Sequence, residues 1–204
     1  CMKKANTRKY QSVRVFENPY LEALTHVHPI IPLCLWGPFA IYLLAQGGVR
    51  NGWTLTLGGF FLLGLFIWTL SEYILHRFIF HFPAKSRLGK RFVFLFHGLH
   101  HDDPGDPTRL VMPPVPAILI MFLLYYFFSL FIGEKWIGIF MSGFTIGYLI
   151  YDYIHYASHH FSMKGKIGKF LKRYHLKHHY AHEPSKYGVS SPLWDYVFRT
   201  RGSR

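Results

Sequence analysis

Residues 147–160, GYLIYDYIHYASHH, join an apolar helical segment directly to paired histidines. The apolar run from Trp136 to Ile154 is close to the ~20 residues that a helix needs to cross a membrane. His155 and His159 follow at a spacing of four, which places both imidazoles on one helical face. This stretch predicts a membrane-spanning helix that presents metal-binding side chains at one end.

Three further apolar segments approach or exceed the length of a membrane span. The four segments together cover residues 30–46, 53–75, 115–132 and 136–154. Polar stretches that carry histidines, residues 76–114 and 155–200, follow the second and the fourth segment. We therefore predict an all-α integral membrane protein in which four transmembrane helices support a cytoplasmic helical cap with a histidine-rich dimetal site.

The distribution of charge supports the same topology. Of the 23 Lys and Arg residues, only Arg50 and Lys135 lie in the two short connections between spans. The other 21 lie in regions that four spans place on one side, which the positive-inside rule makes cytoplasmic. The net charge of +13 therefore indicates anionic lipid headgroups as the partner, and not nucleic acid. The histidine site and both termini are predicted to be cytoplasmic.

Ten of the fourteen histidines fall into four groups with regular spacing. The groups are His76 and His81; His97, His100 and His101; His155 and His159; and His175, His178 and His179. The last three groups have helical spacings of three or four, so two or three imidazoles can converge on one metal ion. The first pair is offset by five, which an ideal helix would splay; it either serves two metals or needs a local bulge. Even numbers of spans separate the groups, so all four are predicted on the same membrane face.

Ten imidazoles exceed the coordination number of about six that the usual first-row ions reach. Two metal ions are therefore predicted. An imidazole shell without thiolates suits iron, zinc or copper. We favour two iron ions, because neutral nitrogen donors leave an iron pair electron-poor and strongly oxidising, and we expect zinc to replace iron in an overexpressed sample.

The remaining histidines are predicted to stay outside the metal shell. His26, His28 and His182 are interpreted as polar residues satisfied by water. His160 adjoins His159 and therefore points about 100° away from it on a helix.

Carboxylates near the histidines are candidates for orienting them. Glu72 lies four residues before His76, and Asp152 three residues before His155, so each could hold an imidazole N–H. For Asp152 this is favoured, because a carboxylate at the end of an apolar span is costly without a partner. Contact with lipid headgroups is an equal alternative for Glu72. Asp102, Asp103 and Asp106 lie in a Pro-rich turn and are interpreted as loop-capping residues.

These spacings form the boxes HxxxxH, HxxHH, HxxxH(H) and HxxHH in order, and the chain thereby resembles the fatty acid hydroxylase superfamily. HHDDPGDPTRLVMPP at 100–114, GYLIYDYIHYASHH at 147–160 and YHLKHHYAHEPSKYGVSSPLWDYVF at 174–198 resemble its fatty-acid (ceramide) 2-hydroxylase branch. The resemblance runs from about Glu17 to Phe198. It departs from the branch at residues 198–200, where the chain has FRT and FGT is expected.

The resemblance implies one fatty acid hydroxylase domain over residues 1–204, without a cytochrome b5 domain. It implies a membrane-bound monooxygenase that inserts one atom of O2 at C2 of a long acyl chain, in ceramide or a related sphingolipid. The ten grouped histidines would then hold the two metals, and Tyr151 and Asp152 would lie beside the lipid headgroup or amide. A separate reductase of the cytochrome b5 or ferredoxin type would supply electrons. The expected location is the inner membrane of a bacterium or the endoplasmic reticulum of a eukaryote.

Two alternatives remain open at the level of sequence. The first keeps the metals and changes the reaction to that of a sterol, carotenoid or alkane oxidase, or a desaturase. The second is a metal transporter or storage protein. Transport predicts ionisable residues at mid-membrane, whereas the centres of these spans are apolar.

Overall fold

The computed structural model describes residues 12–180 and 184–202 of the 204-residue chain. All regular secondary structure in these residues is helical, which confirms the all-α prediction. The elements in chain order are α1 (Pro19–Ala23), α2 (Ile31–Asn51), α3 (Leu55–Ile74) continued by a π-helix (Leu75–Phe80), α4 (Arg87–Val93) continued by a second π-helix (Phe94–Gly98) and α5 (Leu99–Asp102), α6 (Pro114–Ser129), α7 (Glu134–His160), α8 (Gly165–Tyr180) and α9 (Leu193–Val197).

Three helices in the described ranges are long and apolar enough to cross a membrane: α2, α3 with its π-helix, and α7. Each extends past the predicted end of its apolar run, because backbone hydrogen bonding continues where the side chains become polar. Helix α6 corresponds to the predicted span 115–132 but has 16 residues, or about 24 Å. That is shorter than the ~30 Å of bilayer hydrocarbon, so the fourth span remains a prediction.

Helices α3 and α7 cross at backbone contact. A Cβ atom added at Gly143 of α7 would meet the carbonyl of Phe61 on α3, and one added at Gly64 would meet the carbonyl of Phe140 in return. Gly147 makes the same close approach to Trp68. Small residues spaced in this way are how membrane helices approach closely. The crossing fixes α7 against α3. Helix α7 carries His155 and His159, and the π-helix that continues α3 carries His76, with His81 directly after it.

Aromatic side chains fill the centre of the bundle beneath the histidines. The Trp68 ring contacts Phe144 edge-on at 5.1 Å and Tyr148 at 5.3 Å between centroids, and Trp36 contacts Tyr148 at 6.3 Å. All four side chains are buried. Edge-to-face aromatic packing stabilises a core beyond its burial alone, so the upper part of the bundle is held rigid below the histidine site.

The N-terminal arm, residues 12–30, lies on the loop that follows α5. The carboxylate of Glu22 binds the buried guanidinium of Arg109, and the Val27 N–H donates to Thr108 O at 2.7 Å. His26 Nδ1 lies 2.6 Å from Thr108 Oγ1 and its Nε2 2.9 Å from Arg109, so the interpretation of His26 as water-satisfied is wrong. The reason is that the arm packs on this loop.

Asp106 caps the turn in which it lies, as predicted. His182 lies outside the described residues. Asp106 is buried and accepts hydrogen bonds from the Thr108 N–H and hydroxyl at 2.8 and 2.7 Å. His28 is exposed, and its Nδ1 accepts from the Ile30 N–H at 3.2 Å.

The FRT departure has a backbone consequence. Arg199 has φ 57°, in the left-handed region that glycine enters at no steric cost and that a side chain disfavours. The glycine expected at this position would adopt the same turn without strain. The turn returns Thr200 to Asp195, whose carboxylate accepts the Thr200 hydroxyl at 2.7 Å.

Candidate metal centre

A π-helix resolves the five-residue offset of the first histidine pair. The backbone N–H of His81 donates to His76 O at 3.1 Å, which is the i→i+5 bond of π geometry. The wider turn brings residues five apart onto one face, so that the two imidazole centroids lie 5.0 Å apart. The local bulge was one of the two alternatives that the sequence left open. Both rings belong to the same histidine group, so the alternative in which they serve different metals is wrong.

Each HxxHH box divides between two histidine groups. His97 and His101, four residues apart, lie in one group, and His100 lies in the other. The C-terminal box mirrors this, because His175 and His179 share the second group while His178 joins the first. Positions i+3 and i+4 point in directions about 100° apart around a helix. The histidines of one box can therefore face two different metal ions.

The structure brings all ten grouped histidines together. Within each group, one ring nitrogen from every histidine lies within 4.8 Å of the others. His76 Nε2 lies 3.0 Å from His97 Nε2, and His159 Nε2 lies 2.8 Å from His175 Nε2. The first group is His76, His81, His97, His101 and His178, and the second is His100, His155, His159, His175 and His179. The two groups adjoin, since the rings of His101 and His179 stack with 4.1 Å between centroids.

Burial keeps these imidazoles unprotonated at neutral pH. It lowers the pKa of His81 to about 4, with a further contribution from His178, and it lowers the pKa of His101 to about 3. The pKa values of His97, His100 and His175 are lowered well below their usual range, also mainly by burial. A neutral imidazole has a free lone pair, which is the form that binds a metal ion.

The tautomers of two histidines show that the donor set fits metal ions. His76 Nδ1 lies 2.5 Å from Tyr187 O, and His178 Nδ1 lies 2.6 Å from Ser185 O, so each Nδ1 carries the proton. Their Nε2 atoms then hold lone pairs that point at other imidazole nitrogens about 3 Å away. A cation between them satisfies these lone pairs, and five neutral nitrogens leave one open position on a six-coordinate ion. The residues fit two such ions.

A mostly apolar cavity of about 430 Å³ reaches the two groups. His97, from the first group, and His100 and His155, from the second, lie in its wall. The rest of the wall is mainly apolar and comes from the N-terminal arm, from α2, α3, α5, α6 and α7, from both π-helices and from the loop at residues 109–113. The volume lies in the range of sites that bind small molecules. A ligand in this cavity would contact both histidine groups at one end.

Tyr151 and Asp152 line this cavity together with His155. Asp152 is buried and accepts a hydrogen bond from the Tyr148 hydroxyl at 3.4 Å. His155 Nδ1 has no hydrogen-bond partner among the described protein atoms, so the expected contact from Asp152 is not made. Asp152 lies on the same helix but turns toward the cavity.

Glu72 does not contact His76 either, because its carboxylate binds the backbone N–H groups of Val189 and Ser190 at 2.6 and 2.9 Å. The direct Glu72–His76 contact was a wrong expectation. His160 stands outside both groups, as predicted, and packs on Tyr156 with 4.5 Å between centroids.

Sequence reasoning missed the residues that orient the histidines. The carbonyls of Ser185 and Tyr187 come from a segment without regular structure, so no spacing pattern marks them. Asp195, fully buried beneath this segment, was also missed. The one available signal was Glu72 itself, a carboxylate inside an apolar helix that requires buried donors.

The sequence profile described as Fatty acid hydroxylase matches residues 61–200, which contain all ten grouped histidines. The chain belongs to the fatty acid hydroxylase family. This hydroxylase-family chain is 38% identical to the human fatty acid 2-hydroxylase over 210 residues, covering 92% of the chain and 56% of that protein. It is 37% identical to the Arabidopsis thaliana dihydroceramide fatty acyl 2-hydroxylase FAH2, covering 92% of the chain and 79% of that protein.

The likeness extends to a solved structure. The solved structure "Full length scs7p (only hydroxylase domain visible)" superposes on this protein with a TM-score of 0.88 at 35% sequence identity. The match covers 94% of this protein and 73% of the solved chain. The Schizosaccharomyces pombe ceramide very long chain fatty acid hydroxylase scs7 is 40% identical, covering 94% of the chain and 55% of that protein. The chain thus spans a little over half the length of the human and S. pombe relatives.

Proposed function

We propose that this protein is a membrane-bound, O2-dependent monooxygenase that hydroxylates C2 of a long fatty acyl group in ceramide or a related sphingolipid. The observation that carries the proposal is the pair of five-histidine groups that meets the end of an apolar cavity. The names of the related proteins, fatty acid 2-hydroxylase and dihydroceramide fatty acyl 2-hydroxylase, support C2 and the sphingolipid as the target.

The reaction inserts one oxygen atom of O2 into the C2–H bond, and the other leaves as water after uptake of two electrons and two protons. We propose that the ten grouped histidines hold two iron ions, one in each group. When bound, the iron pair supplies the activation of O2 and the oxidising power that no side chain provides. The contribution of the chain is to hold the ions and to position the acyl group against them.

Asp152 and Tyr151 are proposed to hold the headgroup so that C2 lies nearest the metals. Both lie in the cavity wall, and Asp152 is one helical turn before His155, whose ring also faces the cavity. A carboxylate accepts hydrogen bonds, so it favours the N–H of a ceramide amide over the carboxylate of a free fatty acid. The apolar remainder of the wall binds the acyl chain and excludes water from the reacting carbon.

Asp152→Ala is expected to lower kcat/KM for a ceramide about 10- to 100-fold, because the substrate loses a hydrogen bond to a charged group. Turnover of a free fatty acid should fall much less, because that substrate has no amide N–H to donate. The measurement is product formation from both substrates by purified protein, with Glu134→Gln, an exposed carboxylate at the other end of α7, as the control. An equal loss for both substrates would exclude the proposed amide contact.

The experiment that tests the reaction is lipid mass spectrometry of membranes from cells that express the chain and an active reductase. Hydroxylation predicts a gain of one oxygen on the acyl chain, placed at C2 by fragmentation, that disappears in His178→Ala. A loss of two hydrogens would instead identify a desaturase. Oxygen on a sterol, carotenoid or alkane would identify another superfamily reaction, and no lipid change would favour metal transport or storage.

We propose that electrons arrive from the cytoplasm at the outer face of α8. This helix presents Lys166, Lys169, Arg173 and Lys177 as one exposed stripe, while His175, His178 and His179 lie on its other side. A donor with an acidic surface, such as a cytochrome b5- or ferredoxin-type protein, would dock there by charge complementarity. The distance from this face to both histidine groups is then about one helix diameter, ~10–12 Å.

Reversing the charge of the stripe with four Lys/Arg→Glu changes is expected to lower the rate with a limiting protein donor at least ten-fold and to remove its salt dependence. Hydroxylation driven by a small chemical reductant should be unchanged. The proposed four-span topology places α8 on the cytoplasmic side of the membrane. In sealed vesicles, the protein donor should therefore drive hydroxylation only from that side. Activity from the opposite side would refute the proposed topology.

A further inference from the structure

The segment Ser185–Ser190, here called the strap, binds histidines of one group, and no hydrogen bond joins it to the other group within residues 12–180 and 184–202. The strap carbonyls of Ser185 and Tyr187 accept from His178 Nδ1 at 2.6 Å and from His76 Nδ1 at 2.5 Å. Both histidines belong to the first group. Between them, Lys186 has φ 60°, and this left-handed turn aims the two carbonyls at the same group.

Two buried carboxylates hold the strap by four consecutive backbone N–H groups. Tyr187 and Gly188 donate to Asp195 at 2.9 and 2.8 Å. Val189 and Ser190 donate to Glu72 at 2.6 and 2.9 Å, and the Ser190 hydroxyl donates to Glu72 as well. Both carboxylates are buried, so this is a fixed internal brace and not a surface loop contact.

One peptide group links Asp195 directly to a proposed metal ligand. The peptide between Tyr187 and Gly188 donates its N–H to Asp195 and accepts the His76 Nδ1–H on its carbonyl. Hydrogen bonds in such a chain polarise one another, so the negative charge of Asp195 strengthens the carbonyl as an acceptor. A stronger acceptor at Nδ1 makes Nε2 a better electron donor toward a metal and fixes the orientation of the ring.

The second group has no comparable brace. The Nδ1 atoms of His100, His155, His175 and His179 are buried and have no hydrogen-bond partner among the described protein atoms. Burial of the ligands does not distinguish the groups, since each has three buried and two half-buried histidines. The difference between the groups therefore lies in what holds the rings.

We infer that Glu72 and Asp195 are positioning residues that act through the strap and make the two metal sites unequal, with the first group holding its ion more firmly. The inference rests on the proposed dimetal function. It predicts that the ion of the second group leaves first when a chelator competes for it.

The test is the release of ferrous iron from purified, anaerobically loaded protein to excess ferrozine, followed by absorbance. Wild-type protein should lose one ion per chain in a fast phase and one in a phase at least ten-fold slower, the lower end of the ~10–100-fold effect of groups that orient metal ligands. Glu72→Gln and Asp195→Asn should speed the slow phase about ten-fold and leave the fast phase unchanged. Ser190→Ala, which removes a single hydroxyl donor, should speed the slow phase less.

Glu134→Gln is the matched control, since it removes an exposed carboxylate far along α7 and should change neither phase. A single phase in wild-type protein would overturn the inference without any variant. Equal acceleration of both phases in Glu72→Gln would show general loosening of the fold and would also overturn it. Wild-type protein that binds fewer than two iron ions would instead contradict the proposed dimetal function.

Discussion

His155→Ala is expected to abolish hydroxylation as completely as His178→Ala, with a loss of roughly 100-fold or more in each case, because groups that merely orient ligands already contribute ~10–100-fold. The two residues lie in different histidine groups, on α7 and α8. If both ions are needed to activate O2, losing either one stops the reaction. Each variant should retain about one metal ion per chain, measured by elemental analysis of purified protein beside product formation.

The control for this prediction is His28→Ala. His28 is an exposed histidine in the N-terminal arm and belongs to neither group, so its loss should leave metal content and activity unchanged. Full metal content in His155→Ala, or undiminished product formation in either variant, would refute the assignment of five histidines to each ion.

Gly143→Ala is expected to destabilise the protein by about 3 kcal/mol, the upper part of the usual range for overpacked cores. The new Cβ would lie 2.8 Å from the carbonyl carbon of Phe61 and would overlap its oxygen. Both atoms belong to the α3 backbone and cannot rotate away, so the helices must separate. His76 and His81, in and directly after the π-helix that continues α3, would move away from His155 and His159 on α7. Detergent-solubilised protein should show a lower Tm and a smaller monodisperse peak on size exclusion.

Two alanine substitutions on the same helices serve as controls. A Cβ at Gly59 of α3 meets no atom within 4 Å, and one at Gly138 of α7 meets only Leu43 at an ordinary 3.8 Å. Alanine is favoured over glycine within a helix by up to about 1 kcal/mol, so both controls should keep or raise the Tm. A Tm for Gly143→Ala equal to that of Gly138→Ala would show that the α3–α7 crossing is not tight.

Much of the site could be predicted because helical periodicity is local. The spacings of four in His155–His159, His97–His101 and His175–His179 depend on helix geometry alone, and each pair falls within one group. The spacing of five between His76 and His81 could be read only as two alternatives. The choice between them depends on the hydrogen bonds that the backbone forms, and the structure shows the π-helix.

The errors concern side chains whose partners are distant in sequence. Asp152 and Glu72 have the right spacing to reach the histidines that follow them, and neither does so. Glu72 instead binds backbone N–H groups more than a hundred residues away. His26 was expected to be satisfied by water, but its ring contacts Thr108 and Arg109. Spacing within one helix carries no information about such partners.

The sequence by itself determined that the chain is helical, that its apolar segments suit a membrane, and that ten histidines in four spaced boxes can hold two metals. These properties follow from hydropathy and periodicity, which act over a few turns of chain. Only the tertiary structure decided which five histidines form each group and which carbonyls accept hydrogen bonds from His76 and His178. Those choices depend on the contact between α3 and α7 at Gly64 and Gly143 and on the path of the strap, because backbone segments far apart in the chain must meet before any side chain has a partner.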